Sequence, residues 1–186
     1  MSIKCSVFIA MTLDGFIARE DGEIDWLTQA NNQASANEDG GYPAFIETVD
    51  ALVMGRYSFA KALTFGQWPY GELPVIVLSR QPLLIPMHLQ QWVRSSTESP
   101  TQLVQRLLQE GFKHLYIDGG VTIQRFLKEN LIDELTLTLT PVLIGTGRPL
   151  FGPLPQDVKL NHLETKNLSG GFVQIKYRIG KPNDNK

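Results

Sequence analysis

The chain has 186 residues, of which 42% are hydrophobic and 19% are charged, and its formal net charge is −2 at pH 7. This length favours a single domain over residues 1–180, followed by a polar tail over residues 181–186. Acidic side chains slightly outnumber basic ones, which argues against a nucleic-acid-binding protein. No apolar run approaches the length that spans a bilayer, and the first residues lack the pattern of a signal peptide, so we expect a cytoplasmic protein without membrane contact.

The cysteine and histidine content predicts neither a disulfide nor a metal site. Cys5 is the only cysteine in the sequence, and its apolar neighbours predict a small core residue. His88, His114 and His162 lie far apart without the spacing of metal ligands.

The first third of the chain predicts two strands and two short helices separated by a long loop. Residues 12–40 are rich in Gly, Asp and Asn, which favour turns and loops. Gly55 follows a compact apolar run and marks the end of a strand. The predicted elements are a strand over residues 3–11, a loop over residues 12–40 with room for a helix, a helix over residues 42–49 beginning near Pro43, a strand over residues 51–54 and a helix through Phe59, Ala60 and Leu63.

The middle of the chain alternates between strand and helix. Ser99 precedes Pro100 and stands three residues before Gln102, which is a capping-box pattern at a helix start. The predicted elements are a strand over residues 74–78, a helix that ends at Gly111 with Leu103, Val104, Leu107 and Leu108 on its apolar face, a strand over residues 115–117 and a helix after Gly119 and Gly120 with Ile123, Phe126, Leu127 and Leu131 on one side.

The last third changes to a period of two residues. Leucine and threonine alternate over residues 135–140, and apolar and polar residues alternate over residues 173–179, as in half-buried strands. Residues 169–171 (SGG) predict a hairpin turn before the last strand. The order of elements predicts a three-layer αβα fold whose central sheet is mostly parallel and ends in an antiparallel hairpin.

Two strand ends in the middle of the chain carry groups suited to phosphate. Gly55, Arg56 and Ser58 stand where a strand gives way to a helix, whose N-terminus offers unpaired N–H groups. Ser79 and Arg80 follow another strand, and a guanidinium there suits a phosphate monoester. Taken alone, each segment also fits a capped turn or a polar strand exit.

A third strand end carries residues 118–122 (DGGVT). Two glycines between a strand and a helix let the backbone approach a pyrophosphate, although the spacing differs from G-x-G-x-x-G and a tight turn fits equally. Three such ends in one chain favour a phosphate-bearing ligand at the carboxyl edge of the sheet, where ligands of open α/β sheets bind.

Residues 145–149 (GTGRP) contain G-x-G but do not suggest a second phosphate loop. Pro149 and Pro153 argue against a following helix, so we predict a loop between antiparallel strands. Arg148 on this loop has the reach for a phosphorylated substrate, and a solvated arginine also fits.

Several segments resemble the dihydrofolate reductases. Residues 10–18 (AMTLDGFIA), with Asp25 and Trp26 after them, are similar to the first strand and active-site loop of that family. Residues 54–58 (MGRYS) resemble its phosphate turn, and residues 75–80 (VIVLSR) resemble its adenosine-side strand.

The closer resemblance is to the reductase domain of riboflavin biosynthesis and its stand-alone bacterial relatives. The segments that carry it, in chain order, are residues 12–15 (TLDG), 118–120 (DGG), 131–135 (LIDEL), 140–145 (TPVLIG) and 150–151 (LF). They extend over nearly the whole chain and identify the superfamily more specifically than the substrate. The resemblance implies a dihydrofolate-reductase-like fold and an NADPH-dependent oxidoreductase that acts by hydride transfer.

The resemblance also implies a role for each matching residue. It places the cofactor phosphates on Gly55, Arg56 and Ser58, the adenosine end near Ser79 and Arg80, the pyrophosphate on Gly119, Gly120, Val121 and Thr122, and the nicotinamide near Ala10 and Ile17. Asp14 and Asp118 are then the carboxylates nearest the reaction centre and the candidate catalytic residues.

Two departures bear on the substrate. Asn31 stands five residues after Trp26, where dihydrofolate reductases carry a pterin-binding carboxylate, unless Glu38 or Asp39 takes that role through an insertion. Asp118 replaces the glutamate that is usual in the riboflavin-pathway turn. The first assignment is a 5-amino-6-(5-phosphoribosylamino)uracil reductase, and the alternatives are a dihydrofolate or pteridine reductase and a nucleotide-binding relative without turnover.

Two further expectations concern the substrate and the assembly. Trp68 and Tyr70 could stack on a planar heterocycle, although partly buried aromatic residues on a surface loop fit as well. The alternating C-terminal strands offer sheet surface for pairing, and relatives of the riboflavin-pathway domain form dimers, so we expect a homodimer with a small-molecule heterocyclic substrate.

Overall fold

The computed structural model of the protein describes residues 2–32 and 40–180. The predicted tail and the possible role of Glu38 and Asp39 lie outside the described residues. The strands are β1 (Lys4–Thr12), β2 (Phe16–Ala18), β3 (Ala51–Gly55), β4 (Val75–Leu78), β5 (Val93–Ser96), β6 (His114–Asp118), β7 (Glu134–Thr140), β8 (Arg148–Pro149), β9 (Leu160–Asn167) and β10 (Val173–Ile179). The helices are α1 (Asp25–Asn31), α2 (Tyr42–Ile46), α3 (Arg56–Ala62), α4 (Pro100–Gln109) and α5 (Gly120–Lys128).

Eight strands form one sheet in the order β5-β4-β3-β6-β1-β7-β10-β9. The six strands from β5 to β7 pair in parallel, and β10 runs antiparallel to both β7 and β9. The fold class predicted from the sequence is confirmed: a mostly parallel α/β sheet with an antiparallel C-terminal hairpin. The remaining strands, β2 and β8, pair with each other as a small second sheet.

Helices cover both faces of the sheet, which gives three layers. On one face Leu103 and Leu107 of α4 and Phe126 of α5 pack in an aliphatic core, and all three are fully buried. The other face is aromatic, with Phe59 of α3 buried there and Tyr42 of α2 packed against it. The alternation of side chains along each strand divides the residues between these two cores.

The predicted start of α4 is confirmed in atomic detail. Gln102 N donates to Ser99 Oγ at 3.3 Å, and Ser99 N donates to Gln102 Oε1 at 3.1 Å, which completes the capping box.

The prediction for the end of α5 was wrong at Leu131, which follows the helix. Asn130 takes φ +54° there, a left-handed conformation that asparagine tolerates, and ends the helix after Lys128.

The structure also corrects the prediction for residues 145–149. These residues lie between β7 and β9. Both strands run antiparallel to β10, so they are parallel to each other and the segment does not join two antiparallel strands. Arg148 and Pro149 form β8, which pairs with β2. The pairing brings two segments about 130 residues apart together, so no local pattern revealed it.

Candidate active site

The glycine turns singled out in the sequence lie side by side along the carboxyl edge of the sheet. In the β3–β6 pairing Met54 lies opposite Asp118, and in the β3–β4 pairing Gly55 lies opposite Leu78. The turns that follow β3, β4 and β6 are therefore neighbours. This edge is where open α/β sheets bind ligands.

The turns after β3 and β6 lie close together, so that a Cβ added to either Gly119 or Gly55 would crowd a hydroxyl group. Gly119 has φ +86°, and a Cβ at this residue would lie 2.4 Å from Ser58 Oγ. A Cβ on Gly55 would lie 3.1 Å from Oγ1 of the buried Thr122. No side chain caps the start of α3 or α5, so both turns present backbone N–H groups to a ligand.

The turn after β4 is tied to the start of α3 by Gln81. The Arg56 guanidinium donates to the Gln81 side chain, and Ser79 Oγ donates to the Gln81 carbonyl oxygen at 2.7 Å. Ser79 is buried and Arg80 is exposed. Arg56, Ser79 and Arg80 were predicted as cofactor contacts. Gln81 was missed because its role depends on its contact with the Arg56 side chain.

Two guanidinium groups lie near the exposed ring of Tyr57 at this edge. The Arg56 Cζ is 5.9 Å and the Arg148 Cζ is 5.3 Å from the ring centroid. Arg148 Nε also donates to the Glu20 carbonyl oxygen at 3.2 Å. The segment of residues 145–149, for which a phosphate contact was one alternative, therefore lies beside the turn after β3.

The small β2–β8 sheet lies against the start of α5. A Cβ on Gly120 would lie 3.0 Å from both Ile17 Cδ1 of β2 and the Pro149 carbonyl oxygen of β8. Ile17 thus lies next to the glycine turn. Ala10 and Val121 were also implied for cofactor binding. Ala10 in β1 is half-buried, whereas Val121 in α5 is 69% exposed.

Asp14 uses its carboxylate to join the end of β1 to the segment before β8. Thr12 Oγ1 donates to Asp14 Oδ1 at 2.6 Å, while Ile144 N and Gly145 N donate to Oδ2 at 3.0 and 2.8 Å. The hydrogen bond from Thr12, supported by the two backbone N–H groups, lowers the pKa of Asp14 below its ordinary value. Asp14 is therefore a stable anion with three donors.

Asp118 ends β6 on the aromatic face of the sheet and has the opposite character. Burial raises its pKa to about 6, against the opposing effects of the Gly119 N–H and the Tyr116 hydroxyl. Asp118 is half-buried as a residue and is the last residue of β6. Burial raises the pKa of Tyr42 to about 12 and that of Tyr70 above its ordinary value, and the charge of Asp118 adds to both shifts.

Trp68 and Tyr70, which the sequence suggested could stack on a planar ring, belong to this aromatic core. Their ring centroids are 5.1 Å apart, and Trp68 also meets the Phe59 ring at 5.8 Å. Within the described residues, the buried Trp68 Nε1, Trp26 Nε1 and Thr140 Oγ1 have no hydrogen-bond partner.

Two cavities lie away from these turns. The larger, of about 690 Å³, is lined by Leu127 of α5, Leu135 of β7 and residues between Phe151 and Leu160. The other, of about 400 Å³, is formed by the amino ends of β1 and β7 and the end of β10. Neither includes a residue that the sequence predicted for the site.

Among residues 2–32 and 40–180, no helix is long and apolar enough to cross a membrane. No group of three or more His, Cys, Asp or Glu side chains in this part of the chain is arranged to hold a metal ion.

Comparison with known proteins places the chain in a family. Residues 4–174 match the RibD C-terminal domain. This chain belongs to the RibD C-terminal domain family. It is 36% identical over 180 residues to YwjB of Bacillus subtilis (strain 168), an uncharacterized protein, with 95% of this chain and 98% of YwjB covered.

Solved structures agree with the RibD C-terminal domain assignment. A Shewanella sp. PV-4 protein named for riboflavin biosynthesis superimposes with a TM-score of 0.88 and 39% identity, over 97% of this chain and all of that one. The Thermotoga maritima diaminohydroxyphosphoribosylaminopyrimidine deaminase/5-amino-6-(5-phosphoribosylamino)uracil reductase shares the fold at a TM-score of 0.72 and 15% identity, over 96% of this chain and 57% of its own length. The predicted resemblance and its dihydrofolate-reductase-like fold are thus confirmed.

The structure of this RibD-type domain also shows what the sequence did not reveal. Asn31, in the position of the pterin-binding carboxylate, is exposed at the end of α1. Tyr42 and Tyr116 lie around Asp118, but neither was predicted as a site residue. The alternation along β6 was a usable signal for Tyr116, which shares a strand face with Asp118. Tyr42 gave no signal because it comes from a distant helix.

Proposed function

We propose that this chain is an NADPH-dependent reductase that acts by hydride transfer, of the 5-amino-6-(5-phosphoribosylamino)uracil reductase type. A riboflavin-pathway reductase-like function is supported by the family match and the reductases of the same fold. The observation that carries the finer proposal is the placement of two uncapped glycine turns beside Asp118 at one edge of the sheet. The same comparisons do not favour a dihydrofolate reductase.

The glycine turns have the backbone chemistry that a dinucleotide pyrophosphate requires. Gly55, Gly119 and Gly120 allow the turns to pack closely, and the starts of α3 and α5 supply N–H donors. Arg56 and Arg80 supply cations for the phosphates. Ser58, Ser79, Val121 and Thr122 complete the proposed cofactor contacts, with Ala10 and Ile17 towards the nicotinamide. When bound, NADPH supplies the hydride.

In this proposal the two carboxyl groups have different tasks. A carbon that accepts a hydride leaves a neighbouring nitrogen or oxygen that needs a proton, and a group with a pKa near the working pH delivers one efficiently. Asp118, with a pKa of about 6, suits that role. Asp14 holds the end of β1 against residues 144 and 145 and thereby positions the site without carrying the proton.

NADPH oxidation with a ribosylaminopyrimidine substrate tests the proposal directly. We expect turnover with NADPH and weaker binding of NADH, because in this proposal Arg56 and Arg80 contact the 2′-phosphate. Arg80→Ala should weaken NADPH binding by about tenfold or more and leave NADH binding nearly unchanged. Arg178→Ala, at the far end of β10, is the control. Equal affinity of the unmodified protein for NADPH and NADH would contradict the proposal.

We also propose that the protein forms a homodimer through its C-terminal hairpin. Every residue of β9 is exposed, and this strand forms one edge of the eight-stranded sheet. Exposed edges invite pairing with another strand, and Leu160 and Leu163 add apolar surface. Light scattering should give twice the chain mass of 20.8 kDa. A single-chain mass at every workable concentration would contradict this.

A further inference from the structure

The Arg148 side chain is held at the carboxyl edge of the sheet by three contacts. Its Nε donates to the Glu20 carbonyl oxygen at 3.2 Å, and its Cζ lies 5.3 Å from the centroid of the exposed Tyr57 ring. A Cβ on Gly22 would lie 3.3 Å from one terminal nitrogen of Arg148 and 3.4 Å from both Cζ and the other nitrogen. Because these distances are nearly equal, Gly22 lies over the flat face of the guanidinium. The edge that carries the two terminal nitrogens therefore points away from Gly22.

The charge of Arg148 is not balanced by an acidic side chain. Arg148 is half-buried, and in the part of the chain that the structure describes no carboxylate forms a salt bridge with it and no acceptor binds its terminal nitrogens. Arg19, Arg94 and Arg106, by contrast, each pair with an aspartate or glutamate. A cation that is partly removed from water without a counter-charge is unfavourable. The two terminal nitrogens of a guanidinium match two oxygens of a phosphate, so this position suits a bound anion.

The strand that carries Arg148 touches both helix starts of the proposed cofactor site. Tyr57, beside which the guanidinium lies, is the second residue of α3. Pro149, the next residue of β8, has its carbonyl oxygen 3.0 Å from the place of a Cβ on Gly120, the first residue of α5. Residues 148 and 149 thus meet the first turns of α3 and α5, the two helices whose backbone N–H groups we propose as pyrophosphate donors.

The order of the strands indicates which part of a dinucleotide Arg148 meets. The turns after β4, β3, β6 and β1 follow one another along the edge, and Arg80 lies after β4 at one end of this row. Arg148 comes from the other end, because β8 pairs with β2, which follows β1 and carries Ile17 towards the proposed place of the nicotinamide. We propose that Arg148 binds the pyrophosphate of the dinucleotide on its nicotinamide side, through its two terminal nitrogens. This inference rests on the proposed function and adds a cofactor contact from outside the main sheet.

Calorimetric titration with three ligands tests the inference without turnover. NADPH carries the 2′-phosphate and the pyrophosphate, NADH carries the pyrophosphate alone, and adenosine 2′,5′-bisphosphate lacks the phosphate on the nicotinamide side. Arg148→Ala should weaken NADPH and NADH by about tenfold each and leave the bisphosphate unchanged. Arg80→Ala should instead weaken NADPH and the bisphosphate but not NADH. Arg178→Ala, at the far end of β10, is the matched control and should bind all three ligands like the unmodified protein.

Arg148→Lys separates the charge from the shape of the donor. A lysine keeps the positive charge but has no planar pair of nitrogens, so it should recover only part of the affinity that Arg148→Ala loses.

Three results for Arg148→Ala would overturn the inference. They are unchanged affinity for both dinucleotides, an equal loss for all three ligands, which would indicate a distorted site, and a loss confined to a phosphorylated ribosylaminopyrimidine, which would assign Arg148 to the substrate. The proposed function fails separately. Dinucleotide binding that depends on Arg148, in a protein that does not oxidise NADPH with any ribosylaminopyrimidine, would refute the reductase and support the binding role. Turnover with the KM of Arg148→Ala for NADPH unchanged would do the reverse.

Discussion

Asp14 and Asp118 occupy equivalent places in the chain and have opposite chemistry. Each lies at the carboxyl end of a parallel strand, Asp14 two residues after β1 and Asp118 as the last residue of β6, and each precedes a glycine with a positive φ, +93° at Gly15 and +86° at Gly119. Yet the pKa of Asp14 is lowered and that of Asp118 is raised to about 6. The same dipeptide therefore yields a permanent anion in one turn and a proton-carrying group in the other.

The difference arises from the neighbours that the fold supplies. Asp14 receives N–H donors from the segment before β8 and remains near solvent. Asp118 shares a strand face with Tyr116, and the effect of burial on its pKa outweighs the opposing effects of the Gly119 N–H and the Tyr116 hydroxyl. A carboxylate with several donors is stabilised as an anion, whereas one in an apolar surrounding is destabilised. The type of residue and its place after a strand do not decide which case applies.

The largest expected effect is on catalysis by Asp118→Asn. An amide cannot carry the transferable proton, so we expect kcat to fall by about a hundredfold or more. The fold should be retained, because the substitution removes a carboxyl that is costly to bury. Steady-state kinetics with NADPH and a ribosylaminopyrimidine measure the loss, with Asp14→Asn as the paired variant. If Asp118→Asn keeps a third of the kcat, Asp118 is not the proton donor.

The next largest effect is the difference in stability loss when Gly15 and Gly119 are each replaced by alanine. Gly15→Ala carries only the strain of a positive φ, because its nearest neighbour would be Met11 Cε at 4.0 Å. Gly119→Ala adds the collision with Ser58 Oγ at 2.4 Å. We expect the free energy of unfolding to fall by roughly 1 kcal/mol for Gly15→Ala and by roughly 2–4 kcal/mol for Gly119→Ala.

Denaturant unfolding measures both losses, and a second substitution separates the causes. Ser58→Ala in the Gly119→Ala protein should recover part of the lost stability, because it removes the atom that the new Cβ meets. It should have no such effect in the Gly15→Ala protein. Equal losses at the two glycines would show that the contact between the turns after β3 and β6 is not close.

A smaller effect is expected on stability from Asp14→Asn. An asparagine has one acceptor oxygen, so its amide nitrogen would face either Thr12 Oγ1 or the N–H groups of Ile144 and Gly145. The melting temperature should fall by roughly 2–5 °C. Asp157→Asn, an exposed carboxylate on the loop before β9, is the control. An unchanged melting temperature would show that the Asp14 hydrogen bonds contribute nothing net.

The smallest effect is the pH dependence that the two carboxyls contribute. The pKa of Asp118 in the folded protein, about 6, exceeds its ordinary value of 3.8. The stability that protonated Asp118 contributes is therefore complete below pH 3.8 and is lost as the pH rises from there through about 6. Between about pH 7 and about pH 5 the unmodified protein should gain roughly 1 kcal/mol relative to Asp118→Asn. For Asp14 the sign is reversed, since stability is lost only as the pH falls through its lowered pKa.

Comparison of unfolding free energies at several pH values measures this difference. The advantage of the unmodified protein over Asp14→Asn should remain constant between neutral and mildly acidic pH and shrink below the ordinary pKa. Kinetics add a second check: if Asp118 delivers the proton, kcat of the unmodified protein should decline above about pH 6. A flat kcat profile through that range would argue that another group delivers it.

Features of the fold and site that depend on residues close together in the sequence were predictable. The capping box at Ser99, the hairpin turn at residues 169–171 and the glycine turns after β3 and β6 were all readable from short segments. β9 was missed because all its side chains are exposed and it lacks an alternating apolar pattern. Gln81 was missed because its position matters only through the contact with Arg56.

The sequence by itself determined which strand ends carry glycines, carboxyls and arginines, and hence the edge of the sheet at which we propose that a ligand binds. These properties are local, because strand periodicity and the tolerance of glycine for a positive φ act within a few residues. Only the tertiary structure decided that hydrogen bonds lower the pKa of Asp14 and that burial raises the pKa of Asp118. The partners of Asp14 at residues 144 and 145 are about 130 residues away, and a pKa depends on such partners and on burial rather than on the residue itself.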